Sequence, residues 1–253
     1  MQIIMSPAKL LDFDGRIDSV NVSVPSFEKK TNQLIEVCEK LSTDEISKIM
    51  KVNRDIANEA YGWFQSFKFD TTPTRAAALA YNGIAYKGLN AHDFSNDDAV
   101  YAQQHLNLIS GLWGMLKPFD EIKPYRLEMA RKIVPDGYKN LYEFWKEELN
   151  TYLTNRLEGD EPIVINLASK EYSKVISKSL LPKDVRIIDI EFLQQRGDEF
   201  KQIVVHSKKA RGMMSRFIIK NRLVLAEEAK AFDYEDYFFY PQLSDDNKWV
   251  FVR

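Results

Sequence analysis

Hydrophobic and polar positions follow two different periods along this chain, and together these periods predict strands near both ends with helices between them. Short apolar runs bounded by polar or turn-forming residues are typical of strands. The predicted strands are residues 2–5, 162–169, 185–193, 200–206, 236–240 and 249–252. A turn at Arg196-Gly197-Asp198 pairs the third strand with the fourth, and the last two strands form a hairpin.

The segments between these strands carry apolar residues at the spacing of amphipathic helices. Ser42 and Glu45 have the spacing of a capping box, and Asn96 precedes two aspartates that suit the positive end of a helix. Residues 81–89, which contain two glycines, are expected to form a tight turn between extended segments. The predicted helices lie within residues 27–67, 73–80, 97–110, 140–157 and 208–222.

The order of these elements predicts an α+β fold. Strands do not alternate regularly with helices, so a doubly wound sheet is not expected. No linker or low-complexity segment divides the chain. Residues 1–253 are therefore expected to form a single mixed domain, which is long enough to bury a full core.

The last predicted helix carries an uneven charge pattern. The chain has 35 lysine and arginine residues against 37 aspartate and glutamate residues, yet residues 208–222 hold six cations and no acid. A positive segment of this kind indicates an anionic partner. The six cations predicted to bind that partner are Lys208, Lys209, Arg211, Arg216, Lys220 and Arg222.

A helical wheel gives this segment a core-facing stripe opposite the cations. Gly212 and Ser215 lie among the cations, where small side chains would let a ligand approach the helix backbone. The alternative is a solvated basic face whose acidic partners lie elsewhere in the fold. The core-facing stripe comprises Ala210, Met213, Met214, Phe217 and Ile218.

A second phosphate contact is predicted at the turn of residues 110–114. A helix, a glycine turn and a short helix are the layout of a helix-hairpin-helix, whose turn binds a DNA phosphate through backbone N–H groups. Ser110, Gly111 and Gly114 would shape this turn, and Lys117 follows it. A plain connection between helices is the alternative.

Polar residues at predicted strand and loop ends suggest a different function, an enzyme that acts on damaged nucleic acid or nucleotides. Lys9 would be an amine nucleophile, and Glu128 or Glu171 would transfer a proton. The alternative is that these residues form local ion pairs and helix caps. Convergence of Lys9, Arg126 and Arg211 in one pocket would favour the enzyme. The candidate catalytic residues are Lys9, Arg126, Glu128, Asn166, Ser169 and Glu171, with Ser6 and Asp12 nearby in the pattern.

Other classes of protein find little support in the sequence. The single Cys38 cannot form an internal disulfide, and we expect a buried, inert thiol in a cytoplasmic protein. The three histidines lack the spacing of metal ligands, and no glycine-rich nucleotide motif is present, so neither a metal nor a cofactor is expected. No apolar run is long enough to span a membrane, and no protein partner is evident.

Many short blocks of this chain, in the same order, resemble the YaaA family of bacterial peroxide-stress-resistance proteins. They begin at Met5-Ser6-Pro7-Ala8-Lys9 and continue almost to the C-terminus. The further blocks are residues 83–89, 102–106, 110–114, 117–118, 124–129, 166–169, 171–172 and the basic segment 208–222.

This resemblance implies a cytosolic DNA-binding protein that limits oxidative damage and has no established enzymatic activity. It also implies a fold unlike the common superfolds, with a helix-hairpin-helix inside a positively charged cleft. Duplex or branched DNA, bound through its phosphate backbone with little sequence preference, is thereby favoured over a small anion. A role in iron sequestration ranks last, because the sequence has no paired Glu-x-x-His motifs.

Overall fold

The structure is a computed structural model that describes residues 1–14 and 21–253. Within these ranges, strands lie near both ends and most helices lie between them. The strands are β1 (Gln2–Met5), β2 (Arg75–Ala76), β3 (Leu106–Ser110), β4 (Gly114–Leu116), β5 (Glu121–Ile122), β6 (Ile163–Leu167), β7 (Arg186–Arg196), β8 (Glu199–Lys201), β9 (Phe238–Phe239) and β10 (Lys248–Val252). The α-helices are α1 (Glu28–Cys38), α2 (Thr43–Met50), α3 (Arg54–Ser66), α4 (Ala77–Ala80), α5 (Ile84–Leu89), α6 (Asn96–His105), α7 (Leu141–Arg156), α8 (Lys170–Ser173) and α9 (Val204–Asn221).

The main sheet is mixed, with the order β4-β3-β1-β6-β7-β10-β9 and with β8 paired to β7. Its five central strands are parallel to one another, and they are β3, β1, β6, β7 and β10. The edge strands β4 and β9 pair antiparallel, as does β8. Strands β1 and β6 are buried along their whole length, which explains why they are apolar except for Gln2 and Asn166.

The α+β class predicted from the sequence is confirmed, but the parallel centre of the sheet was not foreseen. When the five parallel strands are renumbered 1 to 5 along the chain, their order across the sheet is 2-1-3-4-5. This order is common in doubly wound sheets. The expected uncommon topology therefore does not hold for these central strands. Parallel strands are joined by long crossovers and leave no local turn signal in the sequence.

The turn of residues 110–114 is not part of a helix-hairpin-helix, so that prediction is wrong. It joins β3 to the antiparallel strand β4 as a β-hairpin, and α6 ends at His105. The backbone N–H groups of Leu112 and Trp113 donate to Ser110 Oγ at 3.3 and 3.1 Å, so they do not face a ligand.

The two glycines of this hairpin are buried for structural reasons. Trp145 Nε1 donates to the carbonyl oxygen of Gly111 at 2.9 Å. Gly114 has φ of +73°, and a Cβ there would lie 2.7 Å from the Trp145 ring. The glycine pattern of this turn therefore reflects packing against α7, and its buried residues do not face a ligand. Lys117, beyond the hairpin, has its Nζ 3.9 Å from Oδ1 of the buried Asp120.

Helices α5 and α9 pack at very short range. A Cβ at Gly212 would overlap the carbonyl oxygen of Ala85, and one at Gly88 would overlap that of Lys209. Ser215 is fully buried, and its hydroxyl donates to the Met5 sulfur at 3.0 Å. Gly212 and Ser215 thus serve helix packing, and the prediction that they open the helix backbone to a ligand is wrong.

The other sequence predictions succeed to different degrees. The capping box of Ser42 and Glu45 is present, as is the hairpin of β9 and β10. Residues 84–89, predicted as part of a turn, form α5 instead, because packing on α9 outweighs the poor helix propensity of glycine. The predicted strand 200–206 ends at Lys201, and the basic helix α9 already begins at Val204. Residues 73–80 divide into β2 and the single turn α4.

Candidate anion-binding cleft

The candidate site lies where β1 and β6 end side by side. Met5 is paired with Leu167 in this parallel register, so the residues that follow both strands meet above the sheet. Ser169 donates its backbone N–H to Ser6 Oγ at 2.8 Å, and the two hydroxyl oxygens are 3.2 Å apart. The strand order reverses between β1 and β6, and such switch points form ligand crevices in open parallel sheets.

Two adjoining cavities, which together we call the cleft, open at this point. The first has a volume of about 300 Å³ and the second about 410 Å³. They share three wall residues, Ser169, Lys208 and Arg211. Both volumes fall in the range in which proteins hold small molecules.

The two cavities differ in chemistry. The first has mainly apolar and aromatic walls, which include Pro7, Ala8, Ile84, Tyr86 and Tyr172. The Tyr86 hydroxyl donates to the carbonyl oxygen of Ser6 at 2.9 Å. Burial raises the pKa of Tyr86 and of Tyr172, so both rings are neutral walls.

The second cavity offers hydrogen-bonding groups, which are the side chains of Asn166, Asp189, Glu191 and Gln202. Asn166 Nδ2 donates to Asp189 Oδ1 at 2.6 Å, and its Oδ1 accepts the N–H of Ala168 at 3.0 Å. Asn166, in β6, is therefore held in place by Asp189 of β7 and by the backbone just after its own strand.

Four of the six predicted phosphate-binding cations of α9 have acidic partners from other elements. Arg216 donates twice to the Asp93 carboxylate, at 2.6 and 2.7 Å. The remaining pairs are Lys209 with Glu235, Lys220 with Asp98, and Arg222 with Asp97 and Asp98. For these four cations, the alternative of a basic face with acidic partners elsewhere in the fold is correct.

Lys208 and Arg211 are different. Within residues 1–14 and 21–253, neither makes an ion pair, and both line the two cavities. Arg211 is half-buried, and its Nε has no hydrogen-bond partner. Burial lowers the pKa of Arg211, while the nearby Glu191 and Asp189 act in the opposite direction. An arginine guanidinium stays charged in proteins, and the buried Nε of Arg211 is a donor that no described protein group satisfies.

The other candidate catalytic residues form two groups. Glu128 is buried, and it lies 3.2 Å from Lys9 Nζ and 3.5 Å from atoms of both Arg126 and Arg131. Lys9 and Arg211 share the first cavity, but Arg126 does not line it. The ion-pair alternative therefore describes Arg126 and Glu128, and the three-residue convergence that would favour an enzyme is incomplete.

Glu171 lines the first cavity and accepts the N–H of Ala130 at 3.2 Å, which ties the segment after Glu128 to the rim. Asp12 lies outside the cleft and pairs with Arg75 at 3.4 Å. In the described part of the chain, the Ser6 and Ser169 hydroxyls contact each other without a histidine or carboxylate beside them. The arrangement suits binding of an anion more than nucleophilic catalysis.

Sequence reasoning missed the tyrosines of the first cavity and the polar wall of the second. Tyr86 and Tyr172 lie in sequence blocks that resemble the family but have no predicted role. Asp189 and Gln202 do not belong to any recognised motif. Polar and apolar residues alternate in the sequence of β7 around Asp189 and Glu191, which places these two side chains on one face of the strand. This alternation is the signal in the sequence that could have identified them.

These features define an α+β protein with a cleft at the carboxyl ends of its parallel strands, lined by both cations and carboxylates. The family described as "Peroxide stress protein YaaA" matches residues 1–243, and the chain belongs to this family. It is also similar to the UPF0246 protein RSc2009 of Ralstonia nicotianae, with 38% identity over 258 residues that cover 100% of this chain and 99% of the relative. Among the described residues, no helix is long and apolar enough to cross a membrane.

Proposed function

We propose that this protein acts in the cytoplasm during peroxide stress as a nucleic-acid-binding protein with low sequence specificity, and that it contacts the phosphate backbone through the cleft. One observation carries the proposal: Lys208 and Arg211, the two α9 cations that make no ion pair in the described part of the chain, are the two that line the cleft. Lys9 lies at the rim with its side chain 59% exposed, where a phosphate could compete with Glu128, whose Oε1 is 3.2 Å from Lys9 Nζ.

The role in peroxide stress follows from the family, and DNA as the partner follows from the expectation that the sequence resemblance raised. Phosphate contacts of lysine and arginine carry no base information by themselves, so binding through these three cations would tolerate many sequences. The formal net charge of −2 argues against binding over the whole surface and favours one local contact region.

The proposal is tested by fluorescence anisotropy with two labelled DNA oligonucleotides of unrelated sequence, titrated at several salt concentrations. We expect similar affinities for both and a plot of log K against log salt with a slope of about −2 to −3, since about three phosphates are neutralised. Absence of salt-dependent binding at low salt, or a strong preference for one sequence, would overturn it.

A further inference from the structure

The wall shared by the two cavities separates two chemically different spaces. Lys208, Arg211 and Ser169 form this wall, with one apolar and aromatic cavity on one side and one polar cavity on the other. A ligand that uses both cavities therefore needs an anionic centre with a substituent on each side. A phosphodiester between two nucleosides has this layout.

From this layout we propose, resting on the function proposed above, that the cleft holds two consecutive unpaired nucleotides. The phosphodiester that joins them lies against Lys208 and Arg211. One base enters the first cavity beside Tyr86 and Tyr172, where neutral aromatic and apolar walls exclude water. The other nucleoside enters the second cavity.

The polar groups of the second cavity fit that assignment. Exocyclic amines of the bases are hydrogen-bond donors, and the Asp189 and Glu191 carboxylates are acceptors. Gln202 Nε2 donates to Ser207 Oγ at 3.1 Å, which leaves the amide oxygen of Gln202 as a further acceptor. Lys208 and Arg211, which line both cavities, provide the charged donors that a phosphate oxygen requires.

Paired bases cannot use these cavities. In a duplex the bases are stacked and paired inside the helix, so a base reaches a closed pocket only when it is unpaired or extruded. Each cavity has room for a small molecule and no more. The cleft therefore distinguishes unpaired from paired nucleic acid, whereas phosphate contact alone does not.

Two substitutions narrow one cavity each and leave the cations in place. Ile84→Trp would fill the first cavity and Val204→Trp the second, and both native side chains are exposed at the rim. Val205→Trp is the matched control for Val204→Trp, because Val205 is also exposed on α9 but lines neither cavity. Val100→Trp, on the exposed face of α6, is the control for Ile84→Trp.

Anisotropy is measured with a labelled DNA single strand of about ten nucleotides and with the blunt duplex of the same sequence. We expect the single strand to bind about tenfold more tightly than the duplex, and each cavity-filling variant to lose about that factor for the single strand. The two control variants should bind the single strand as the unaltered protein does. A dinucleotide monophosphate titrated as competitor should displace the strand, which separates recognition of the two-nucleotide unit from contacts along a longer strand.

Equal affinity for single strand and duplex, or full single-strand binding by both filled variants, overturns this proposal. Either result leaves the proposed function standing if binding still depends on salt. Loss of salt-dependent binding altogether would instead remove the proposed function.

Discussion

At the scale of single residues, the contact between α5 and α9 depends on the absence of a side chain at Gly212. The carbonyl oxygen of Ala85 occupies the position that a Cβ would need. On a helical wheel, Gly212 therefore appears to give a ligand access to the helix backbone. In the structure, the same residue packs against α5. A wheel drawn for an isolated helix does not show the neighbouring helix.

The substitution Gly212→Ala should lower the free energy of unfolding by about 2–3 kcal/mol, since the added methyl group forces α5 and α9 apart. Gly62→Ala is the matched control, because Gly62 also lies inside a helix but a Cβ there meets nothing within 4 Å. That control should gain roughly 0.5–1 kcal/mol from helix propensity. Urea denaturation measures both, and equal midpoints for Gly212→Ala and the unaltered protein would contradict the close contact.

The buried carboxylate of Asp98 gives stability a defined pH dependence. Burial alone would raise its pKa, but hydrogen bonds from Lys220 and Ser95 outweigh burial and lower it to about 2. Because the folded pKa lies below the ordinary value of 3.8, the contribution is complete above about pH 4 and is lost as the pH falls towards 2.

Between pH 6 and pH 2.5, the unaltered protein should therefore lose on the order of 1 kcal/mol more stability than the Asp98→Asn variant. Urea midpoints at the two pH values provide the measurement. Parallel losses in the two proteins would show that Asp98 has no lowered pKa.

At the scale of elements, α9 has two functionally different parts. Its first half brings Lys208 and Arg211 to the strand ends, whereas Arg216 and Lys220 near its end are tied to Asp93 and Asp98. Charge counting along the sequence cannot separate these groups, because the acids come from residues more than 100 positions away.

A pair of double variants separates the two parts while removing the same charge. Lys208→Gln with Arg211→Gln should weaken nucleic-acid binding about tenfold or more, because two phosphate contacts are lost. Arg216→Gln with Lys220→Gln should bind normally and unfold at a lower urea concentration, because its losses are structural ion pairs. Equal loss of affinity in both variants would instead indicate that the whole basic face of α9 binds the nucleic acid.

The sequence was most informative where the signal is local. Capping of α2, the length of α7 and the pairing of β7 with β8 depend on residues within a few positions of one another. The segment 106–110 extended the α6 pattern in sequence but forms β3, because it is an apolar run that the sheet recruits beside β1. Its strand character depends on a partner about 100 residues earlier.

At the scale of the whole molecule, the candidate site results from the neighbouring positions of β1 and β6. The sequence identifies Ser6, Lys9, Asn166, Ser169 and Glu171 as polar residues at predicted strand or loop ends. Their meeting with Lys208 and Arg211 required the parallel strand order, which a single sequence does not reveal.

We infer that this cleft, and neither the outer face of α9 nor the β3–β4 hairpin, receives the nucleic acid. Chemical-shift mapping of the ¹⁵N-labelled protein, titrated with a short DNA single strand, tests it most directly. We expect the largest chemical-shift changes at the backbone amides of Ser6, Ser169 and Lys208 and at the Arg211 Nε–H. Changes concentrated at Arg216, Lys220 and Arg222, or around Gly111, would contradict it.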